Sequence, residues 1–442
     1  MRPMKQVLFI FTFACIMMPV KAETLTLKDC LRLAFANNLS LQMSQNEVNK
    51  GKHAISENRA KLLPQINAIA NFNDNFDPPV SVTDGSAYGK RYNVTQTLQY
   101  NASAGLQLQM PLYNQTVYTA IDIAKTLDNL NQLSYSKARE DLAMQVAKMY
   151  YLAQNTLEQI ELVKENIRRL EKLREIAQAF YDNEMVLKVD IQRADIKLEE
   201  LRVQHANAEA MLTQQYNMLK YVMDYPADRE IALMPVNVED TQAAELSGLN
   251  TNQYDLLMLQ EKERLAGQQL KMVKDGYLPS LSLTGSWMYS AYTDEMKNWF
   301  HSGPSNHWYR SNGIGLSLRV PVFDGFDKRS RSRKAKVDME TAKLAYENTL
   351  KNYQTQYLNA VNELQNSERT YYKQKDNYKL AEDVCAVTND SYREGITSMV
   401  EVLQDEMRVS AAQNNYLTAH YNFQVANLTL LKLTKQLDKL AK

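Results

Sequence analysis

Few side chains in this sequence could bind a metal ion or act as a nucleophile, and they are scattered along the chain. The histidines and cysteines are His53, His205, His301, His307, His420, Cys15, Cys30 and Cys385. Only His301 and His307 lie near each other, without the cysteines or clustered carboxylates that a zinc site would need. The sequence also has no phosphate-binding Gly-Lys loop, no nucleophile elbow and no zinc-protease helix motif. It therefore predicts no enzyme, no metal site and no cofactor.

The composition excludes several classes of protein. Lysine plus arginine and aspartate plus glutamate each total 51, so the formal net charge is zero, whereas nucleic-acid binding needs a basic surplus. A mean hydropathy of −0.47 excludes a helical membrane bundle. Only 13 glycines and 11 prolines in 442 residues indicate long uninterrupted elements. Cys30 and Cys385 are too few for a disulfide framework, and we expect both to be free and structural.

The first 22 residues, MRPMKQVLFIFTFACIMMPVKA, have the pattern of a secretory signal. A basic start precedes an apolar run from Val7 to Val20, and small residues follow at a predicted cleavage site before Glu23. A transmembrane anchor is disfavoured because the run is shorter than the roughly 20 residues that a spanning helix needs. Lipidation at Cys15 is disfavoured because the apolar sequence IMMPV follows it.

The rest of the chain repeats one plan twice. Three stretches of the first half recur about 210 positions later, which indicates an internal duplication. The pairs are GLQLQMPLY (105–113) with GLSLRVPVF (315–323), AKLLPQINAIANF (60–72) with DGYLPSLSLTGSW (275–287), and FYDNEMVLKVDIQRA (180–194) with SYREGITSMVEVLQD (391–405). We predict a signal peptide at 1–22, a first repeat at 23–235 and a second repeat at 236–442. Each repeat would contain a helix, two strands and a long helical hairpin.

The predicted hairpins consist of unusually long helices, at 114–179, 187–221, 328–389 and 399–437. The first of these ranges includes neither proline nor glycine, and at 1.5 Å per residue such a helix is on the order of 100 Å long. Its apolar residues recur at the 3–4 spacing of a coiled-coil seam. The seam consists of Ile160, Val163, Ile167, Leu170 and Ala177, with Arg174 where one more apolar residue would fall. Helices of this length must project as a tube or a rod.

Strands of alternating polarity precede the hairpins. Residues 98–110 place apolar or small side chains at every even position, and 281–289 and 314–320 alternate similarly. Strand 66–72 is less regular because Ile69 falls on its polar face. A strand with one apolar and one polar face is typical of a transmembrane barrel, although a half-buried sheet in a soluble domain has the same pattern. Because four strands close only a very narrow barrel, we expect three chains to contribute twelve strands.

The segments between paired strands, 73–97 and 290–312, are predicted to be loops. Their aromatic residues fit either a membrane interface or an ordinary loop. These residues are Tyr88, Tyr92, Tyr292, Trp299, Phe300, Trp308 and Tyr309.

Together these features resemble the TolC family of outer-membrane efflux channels. The resemblance rests on the opening LTLKDCLRLAFANN (25–38), the paired Leu-Pro strand entries, Pro111 and Pro321 between strand and helix, and the two hairpin turns. It implies a mainly α fold with a membrane β portion. The family is a homotrimer in which a twelve-stranded β-barrel in the outer membrane continues into a twelve-helix α-barrel crossing the Gram-negative periplasm. It implies a passive duct that receives substrates from an inner-membrane pump through a periplasmic adaptor.

The resemblance places the two hairpin turns at the periplasmic tip, where the adaptor docks. The implied docking residues are Asn183, Glu184, Met185, Glu394, Gly395 and Ile396. Gly395 supplies the backbone freedom that a tight turn requires. The first turn departs from the family's pattern because Glu184 stands at the expected glycine position, next to Asn183, which tolerates the left-handed conformation.

The resemblance also assigns a gate at this tip. Asp190 and Tyr392 match the hydrogen-bonded partners of the closed state, and Thr397 stands where some members have an arginine. Glu401 matches one ring of acids inside the entrance, and Gln404 replaces the second. Carboxylates that are close together in a narrow pore repel one another and attract cations. A solvated helix charge at Glu401 and ordinary packing at Tyr392 are the alternatives.

Two other classes of protein compete with the channel interpretation. A periplasmic coiled-coil adaptor, or a structural protein without a pore, also has long helical hairpins. An adaptor would carry one hairpin with compact β-domains rather than two hairpins, each preceded by a strand pair. An enzyme on a helical scaffold would need catalytic groups that this sequence lacks. Neither the pump nor the cargo, whether drugs, metal ions or an unfolded polypeptide, follows from the residues.

Overall fold

The computed structural model describes residues 23–84, 86–235, 247–296, 308–437 and 440. The predicted signal segment 1–22, the start of the second repeat, and His301, His307, Trp299 and Phe300 lie outside these residues. The elements are β1 (Glu23–Leu25), α1 (Leu27–Asn37), α2 (Leu39–Ala60), β2 (Gln65–Asp74), β3 (Val80–Asp84), β4 (Tyr92–Gln96), β5 (Tyr100–Tyr113), α3 (Gln115–Asp182), α4 (Lys188–Met223), β6 (Ile231–Leu233), α5 (Tyr254–Asp275), β7 (Ser280–Thr293), β8 (Trp308–Arg319), α6 (Asp327–Arg393) and α7 (Met399–Leu433).

The described residues form two compact units, each built from both halves of the sequence. The helical unit consists of the described parts of Met1–Met43, Ser136–Gln253 and Lys351–Lys442. The strand unit consists of the described parts of Ser44–Tyr135 and Tyr254–Leu350. A short parallel pair, β1 with β6, belongs to the helical unit and was not predicted.

The four long helices predicted from the sequence are confirmed as α3, α4, α6 and α7. Of the predicted seam on α3, four residues are buried: Ile160, Val163, Leu170 and Ala177. Arg174 instead pairs with Asp195 of α4, with 2.7 Å between Nε and Oδ1. Within the described residues, no helix combines the length and the apolar character that crossing a membrane would require.

Helix α7 ends at Leu433, four residues before the predicted end at 437. Thr434 caps the helix, and Lys435 takes the left-handed conformation with a φ of 57°. The N–H of Gln436 then donates to the carbonyl of Leu431 at 2.8 Å. The chain turns away from the helix axis here because this bonding satisfies the last helical carbonyls locally.

The strand unit contains one four-stranded antiparallel sheet in the order β2–β5–β7–β8. The four predicted strands are therefore confirmed. The register places Ile66 beside Leu108, Leu108 beside Gly285, and Gly285 beside Ile314. Ile69 pairs with Gly105 on the other face, as its phase predicted. In this chain β2 and β8 are edges, each with one partner strand.

The register sorts the sheet into an apolar face and a polar face. The apolar face carries Ile66, Ala68, Ala70, Phe72, Ala102, Ala104, Leu106, Leu108, Met110, Leu283, Gly285, Trp287, Tyr289, Ala291, Trp308, Arg310, Asn312, Ile314, Leu316 and Leu318. Ile314 is 78% exposed and Leu316 is 68% exposed. On the polar face the side chain of Asn73 donates from Nδ2 to Oδ1 of Asn101 at 2.8 Å.

Three predictions about strand boundaries are wrong. The segment 290–312 is not a loop throughout, because β7 continues to Thr293 and β8 begins at Trp308. The segment 73–97 is not a loop throughout, because β3 and β4 pair as an antiparallel hairpin. The stretches VSVTD and YNVTQ alternate β-branched with polar residues, which is a strand signal that the aromatic content obscured. Strand β5 also continues through Pro111 to Tyr113, past the predicted end at Met110. The register shifts between Pro111 and Tyr113, and a proline without an N–H is tolerated at such an irregularity.

Candidate gate and docking site

The turn between α3 and α4 closes with a left-handed residue at Glu184, whose φ is 61°. The N–H of Met185 donates to the carbonyl of Phe180 at 2.8 Å, which is the bonding of a Schellman helix end. That bond fixes the left-handed position at the residue before Met185, which is Glu184 and not Asn183. The Asn183 side chain instead donates from Nδ2 to the carbonyl of Ala179 at 2.7 Å.

The turn between α6 and α7 has the same bonding around a glycine. Gly395 has a φ of 74°, and the N–H of Ile396 donates to the carbonyl of Ser391 at 2.8 Å. Ser398 then begins α7 by accepting the N–H of Glu401 on its hydroxyl at 3.4 Å. The two turns thus share one geometry, although a side chain in the left-handed region costs roughly 1–2 kcal/mol that glycine avoids.

The six predicted docking residues lie at these two turns, and all are exposed. Two of the six are apolar, Met185 at 64% and Ile396 at 79% exposed, and the neighbouring Leu187 is 71% exposed. Exposed apolar side chains grouped at a helix end are typical of a surface that another protein covers.

Tyr392 lies between the two hairpins. It is 2% exposed, and its ring centroid lies 5.7 Å from that of Phe180. Its hydroxyl has no hydrogen-bond partner among the described residues, and Asp190 instead accepts from Nη1 of Arg193 at 2.8 Å. Burial, and then the charge of Asp190, raise the pKa of Tyr392. Within this chain, Asp190 therefore acts on the Tyr392 phenol through its charge, and the hydrogen bond between the two side chains that the resemblance implies is not formed.

Thr397 contacts the predicted acid of the entrance. Its hydroxyl donates to the carboxylate of Glu401 within the same hairpin. Glu401 lies in the first turn of α7, and both it and Gln404 are exposed. Thr397 therefore orients the Glu401 carboxylate within its own chain.

A buried ion pair close to this tip was not predicted. Arg169 of α3 donates from Nε and Nη2 to the two carboxylate oxygens of Glu406 at 2.8 and 3.1 Å. Glu406 is 4% exposed and also accepts from Nδ2 of Asn389 on α6 at 3.3 Å. Asn166, which accepts from Arg169 at 2.7 Å, donates to Gln413 of α7 at 2.7 Å. This network, called the α3–α6–α7 network below, joins three helices.

The sequence did contain a signal for this network. Met399, Val402, Glu406 and Val409 follow one another at 3–4–3 spacing, and all four are buried. A charged residue at a seam position indicates a partner on the facing helix. The 3–4 spacing on α7 would have identified Glu406 as a buried charge. It would not have identified Arg169 as the partner of Glu406, because Arg169 is not at an apolar seam position of α3.

A second buried polar group lies further along the helical unit. His420 is 1% exposed, and its ring centroid lies 5.2 Å from that of Tyr371 and 6.2 Å from that of Tyr416. Burial lowers the pKa of His420 to about 4, with a smaller contribution from the charge of Lys375. Neither ring nitrogen has a hydrogen-bond partner among the described residues. Glu158 lies 4.0 Å from Nδ1, and burial raises the pKa of this carboxyl.

Among the described residues, the remaining cysteine, histidine and carboxylate side chains form no recognisable metal or catalytic site. The two cysteines expected to be free, Cys30 and Cys385, are free and buried. Burial raises the pKa of each thiol to about 12. In the part of the chain that the structure describes, no group of three histidine, cysteine, aspartate or glutamate side chains has the arrangement of a metal site.

The family follows from a comparison with known protein families. The sequence profile of the family described as "Outer membrane efflux protein" matches residues 30–223 and 246–434. This chain belongs to that family. The resemblance to TolC is confirmed, and this efflux protein is an outer-membrane channel protein.

Individual relatives of the efflux protein agree with this assignment. Outer membrane protein TolC of Vibrio cholerae is 23% identical over 395 residues, which cover 85% of this chain and 83% of the relative. The alkaline protease secretion protein AprF of Pseudomonas aeruginosa is 21% identical over 422 residues, which cover 92% and 83%. The crystal structure of outer membrane protein VceC of Vibrio cholerae has a TM-score of 0.73 at 16% identity, covering 92% of this chain and 95% of VceC. At that identity the likeness shows the fold.

Proposed function

We propose that three copies of the efflux protein form one exit duct through the outer membrane and the periplasm. The observation that carries this proposal is the four-stranded sheet, which has two open edges and an exposed apolar face. Unpaired edges are not tolerated in a bilayer, so the sheet must close with other copies. Three copies supply twelve strands, and the alternation places the apolar face toward lipid and the polar face toward the lumen.

The duct has no energy source of its own, so an inner-membrane pump must expel the substrate and a periplasmic adaptor must connect the two. The exposed apolar side chains at the two hairpin turns support adaptor docking there. The proposed docking residues are Asn183, Glu184, Met185, Glu394, Gly395 and Ile396. No enzymatic step belongs to this function. The signal segment 1–22 and the repeat boundaries 23–235 and 236–442 stay predictions.

The gate of the duct would lie at the same tip. Tyr392 packs against the first hairpin, and Asp190 stands close enough for its charge to raise the pKa of the phenol. In the closed trimer, Tyr392 and Asp190 hold the hairpins together, without an arginine at Thr397. Three copies of Glu401, each held by Thr397, form one acidic ring, and Gln404 supplies no second ring.

Single-channel conductance of the purified protein in a planar bilayer tests this proposal. We expect a small, stable current that divalent cations block, because three close carboxylates attract cations. Glu401→Ala should weaken the block, whereas Gln404→Ala, one turn further along the same helix, should leave it unchanged. Verified trimers that never insert into the bilayer would refute the duct.

The latch has its own test in the same recording. Tyr392→Phe combined with Asp190→Ala should raise the resting conductance, because the closed state loses both partners. An unchanged current in this double variant would remove the latch and leave Tyr392 as a packing residue.

A further inference from the structure

One strand of the sheet interrupts its own apolar face with two polar side chains. On β8, Trp308, Arg310, Asn312, Ile314, Leu316 and Leu318 share the apolar face. The last three of these are 65–78% exposed. Polar side chains would normally occupy the opposite face, where Arg319 lies beside Ser280. Arg310 and Asn312 therefore need a partner outside the polar lumen.

The neighbours of Arg310 on this face are aromatic. Arg310 pairs in register with Tyr289, and Asn312 pairs with Trp287. The rings of Trp287 and Tyr289 meet edge to face, with centroids 5.8 Å apart. Trp308 stands two residues before Arg310 on the same face. Tryptophan and tyrosine gather at the boundary between hydrocarbon and lipid headgroups, so this group marks the level of the interface.

The side chains of Arg310 and Asn312 make no hydrogen bond or ion pair with the residues that the structure describes. A cation that faces hydrocarbon is costly unless its head reaches the interface and finds an anion there. Strand β8 leads from the segment 297–307 to the long helix α6. If the helices occupy the periplasm, the Trp308 end of the strand reaches the outer leaflet.

We propose that Arg310 binds the phosphate group of an outer-leaflet lipid, and that Asn312 binds the polar junction where the acyl chains of that lipid begin. This inference rests on the proposed function, because it requires the apolar face to contact lipid. The planar guanidinium donates two parallel hydrogen bonds to a phosphate. Asn312 lies two residues and about 7 Å further along the strand, which in a strand tilted by about 40° is about 5 Å deeper in the membrane. That spacing follows the order of a lipid, in which the phosphate stands above the carbonyl groups of the acyl chains.

The test measures lipid binding to the whole trimer in a membrane. The protein is reconstituted in phosphatidylcholine vesicles that contain a small fraction of a bis-phosphorylated diglucosamine lipid, or the same lipid with both phosphates removed. Bound lipid is then counted by native mass spectrometry. We expect the phosphorylated lipid to be retained, and Arg310→Gln to lower its affinity at least about fivefold, the factor expected for one cation at an anionic lipid surface.

Two variants control for charge and position. Arg319→Gln removes the same charge from the same strand, but on the polar face, and should leave lipid retention unchanged. Arg310→Lys keeps the charge but loses the planar fork, and should retain lipid more weakly than the wild type. Asn312→Leu should weaken binding of the phosphorylated and dephosphorylated lipids alike.

The possible failures are distinguishable. A wild-type trimer that does not float with the vesicles would refute the proposed function itself. Insertion with equal lipid affinity in the wild type and Arg310→Gln would overturn only the lipid site. Loss of the trimer in Arg310→Gln, with normal lipid retention by the remaining trimers, would also overturn it, because Arg310 would then serve contact between copies.

Discussion

Removing Arg169 should leave a buried charge at the centre of the α3–α6–α7 network. Glu406 is 4% exposed, and its two carboxylate oxygens accept from Arg169 at 2.8 and 3.1 Å. In Arg169→Ala the carboxylate keeps the neutral donor Asn389, at 3.3 Å. Breaking a buried pair by removing one partner costs about 3–5 kcal/mol, because the remaining charge is neither hydrated nor compensated.

This loss of stability should appear as local unfolding of the helices near the hairpin tip, while the strand unit stays folded. A cost of about 3 kcal/mol is more than a hundredfold in an opening equilibrium, since each 1.4 kcal/mol is tenfold. Hydrogen exchange followed by mass spectrometry on the full-length protein in detergent measures it. Peptides covering 160–175 and 400–413 should exchange about a hundredfold faster in Arg169→Ala, whereas peptides from β5 and β7 should not change.

Two variants decide whether the pairing is the cause. Arg168→Ala removes an exposed arginine from the adjacent position of α3 and should change exchange by less than about threefold. Replacing both Arg169 and Glu406 by methionine removes the buried charge together with its partner, and should restore most of the protection. Equal exchange in Arg169→Ala and Arg168→Ala would refute the reasoning.

Three further predictions follow from single residues. Glu184→Gly should stabilise the first turn by about 1 kcal/mol, seen as slower exchange at 180–187, and Asn183→Gly should not. The free energy of unfolding should fall by up to about 3 kcal/mol as pH falls from 6.5 to about 4, because His420 binds a proton in the unfolded state that it excludes in the folded state. In His420→Phe, the free energy of unfolding measured with urea should lack this pH-dependent loss. The same pH dependence in the variant and the wild type would contradict the role of His420. Cys30 and Cys385 should resist alkylation at pH 8 until urea unfolds the chain, since burial raises both pKa values to about 12.

The four strands of the main sheet, β2, β5, β7 and β8, were predictable because their signal has a period of two. Once the phase of Leu106 and Leu108 was read, the faces of the partner strands followed, including Ile69 on the polar side. The long helices were predictable because proline and glycine are absent from α3 over 68 residues. Local patterns of this kind determine which residues can share a face, and the structure confirms them.

Contacts between helices were harder to predict from the sequence. Nothing in the spacing around Arg169 shows that it meets a residue 237 positions later. His420 likewise packs against Tyr371 of α6. The sequence predicted the hairpin of these two helices, but not which of their positions meet. A single sequence gives the face of each helix, but pairing of faces is decided by packing in three dimensions.

The first hairpin turn places a side chain, Glu184, in the left-handed region, which costs free energy that Gly395 avoids in the second turn. This difference is informative about docking. Both turns have the same bonding, so the left-handed position is set by where the helices end and not by a glycine. Backbone strain retained at an exposed position is a reason to look for function there. If the Glu184 carboxylate contacts an adaptor, Glu184→Gly should stabilise the turn and weaken adaptor binding at once. Glu184→Asn, which tolerates the left-handed region without the charge, should weaken binding equally. Binding that follows turn stability instead would exclude a role for the carboxylate.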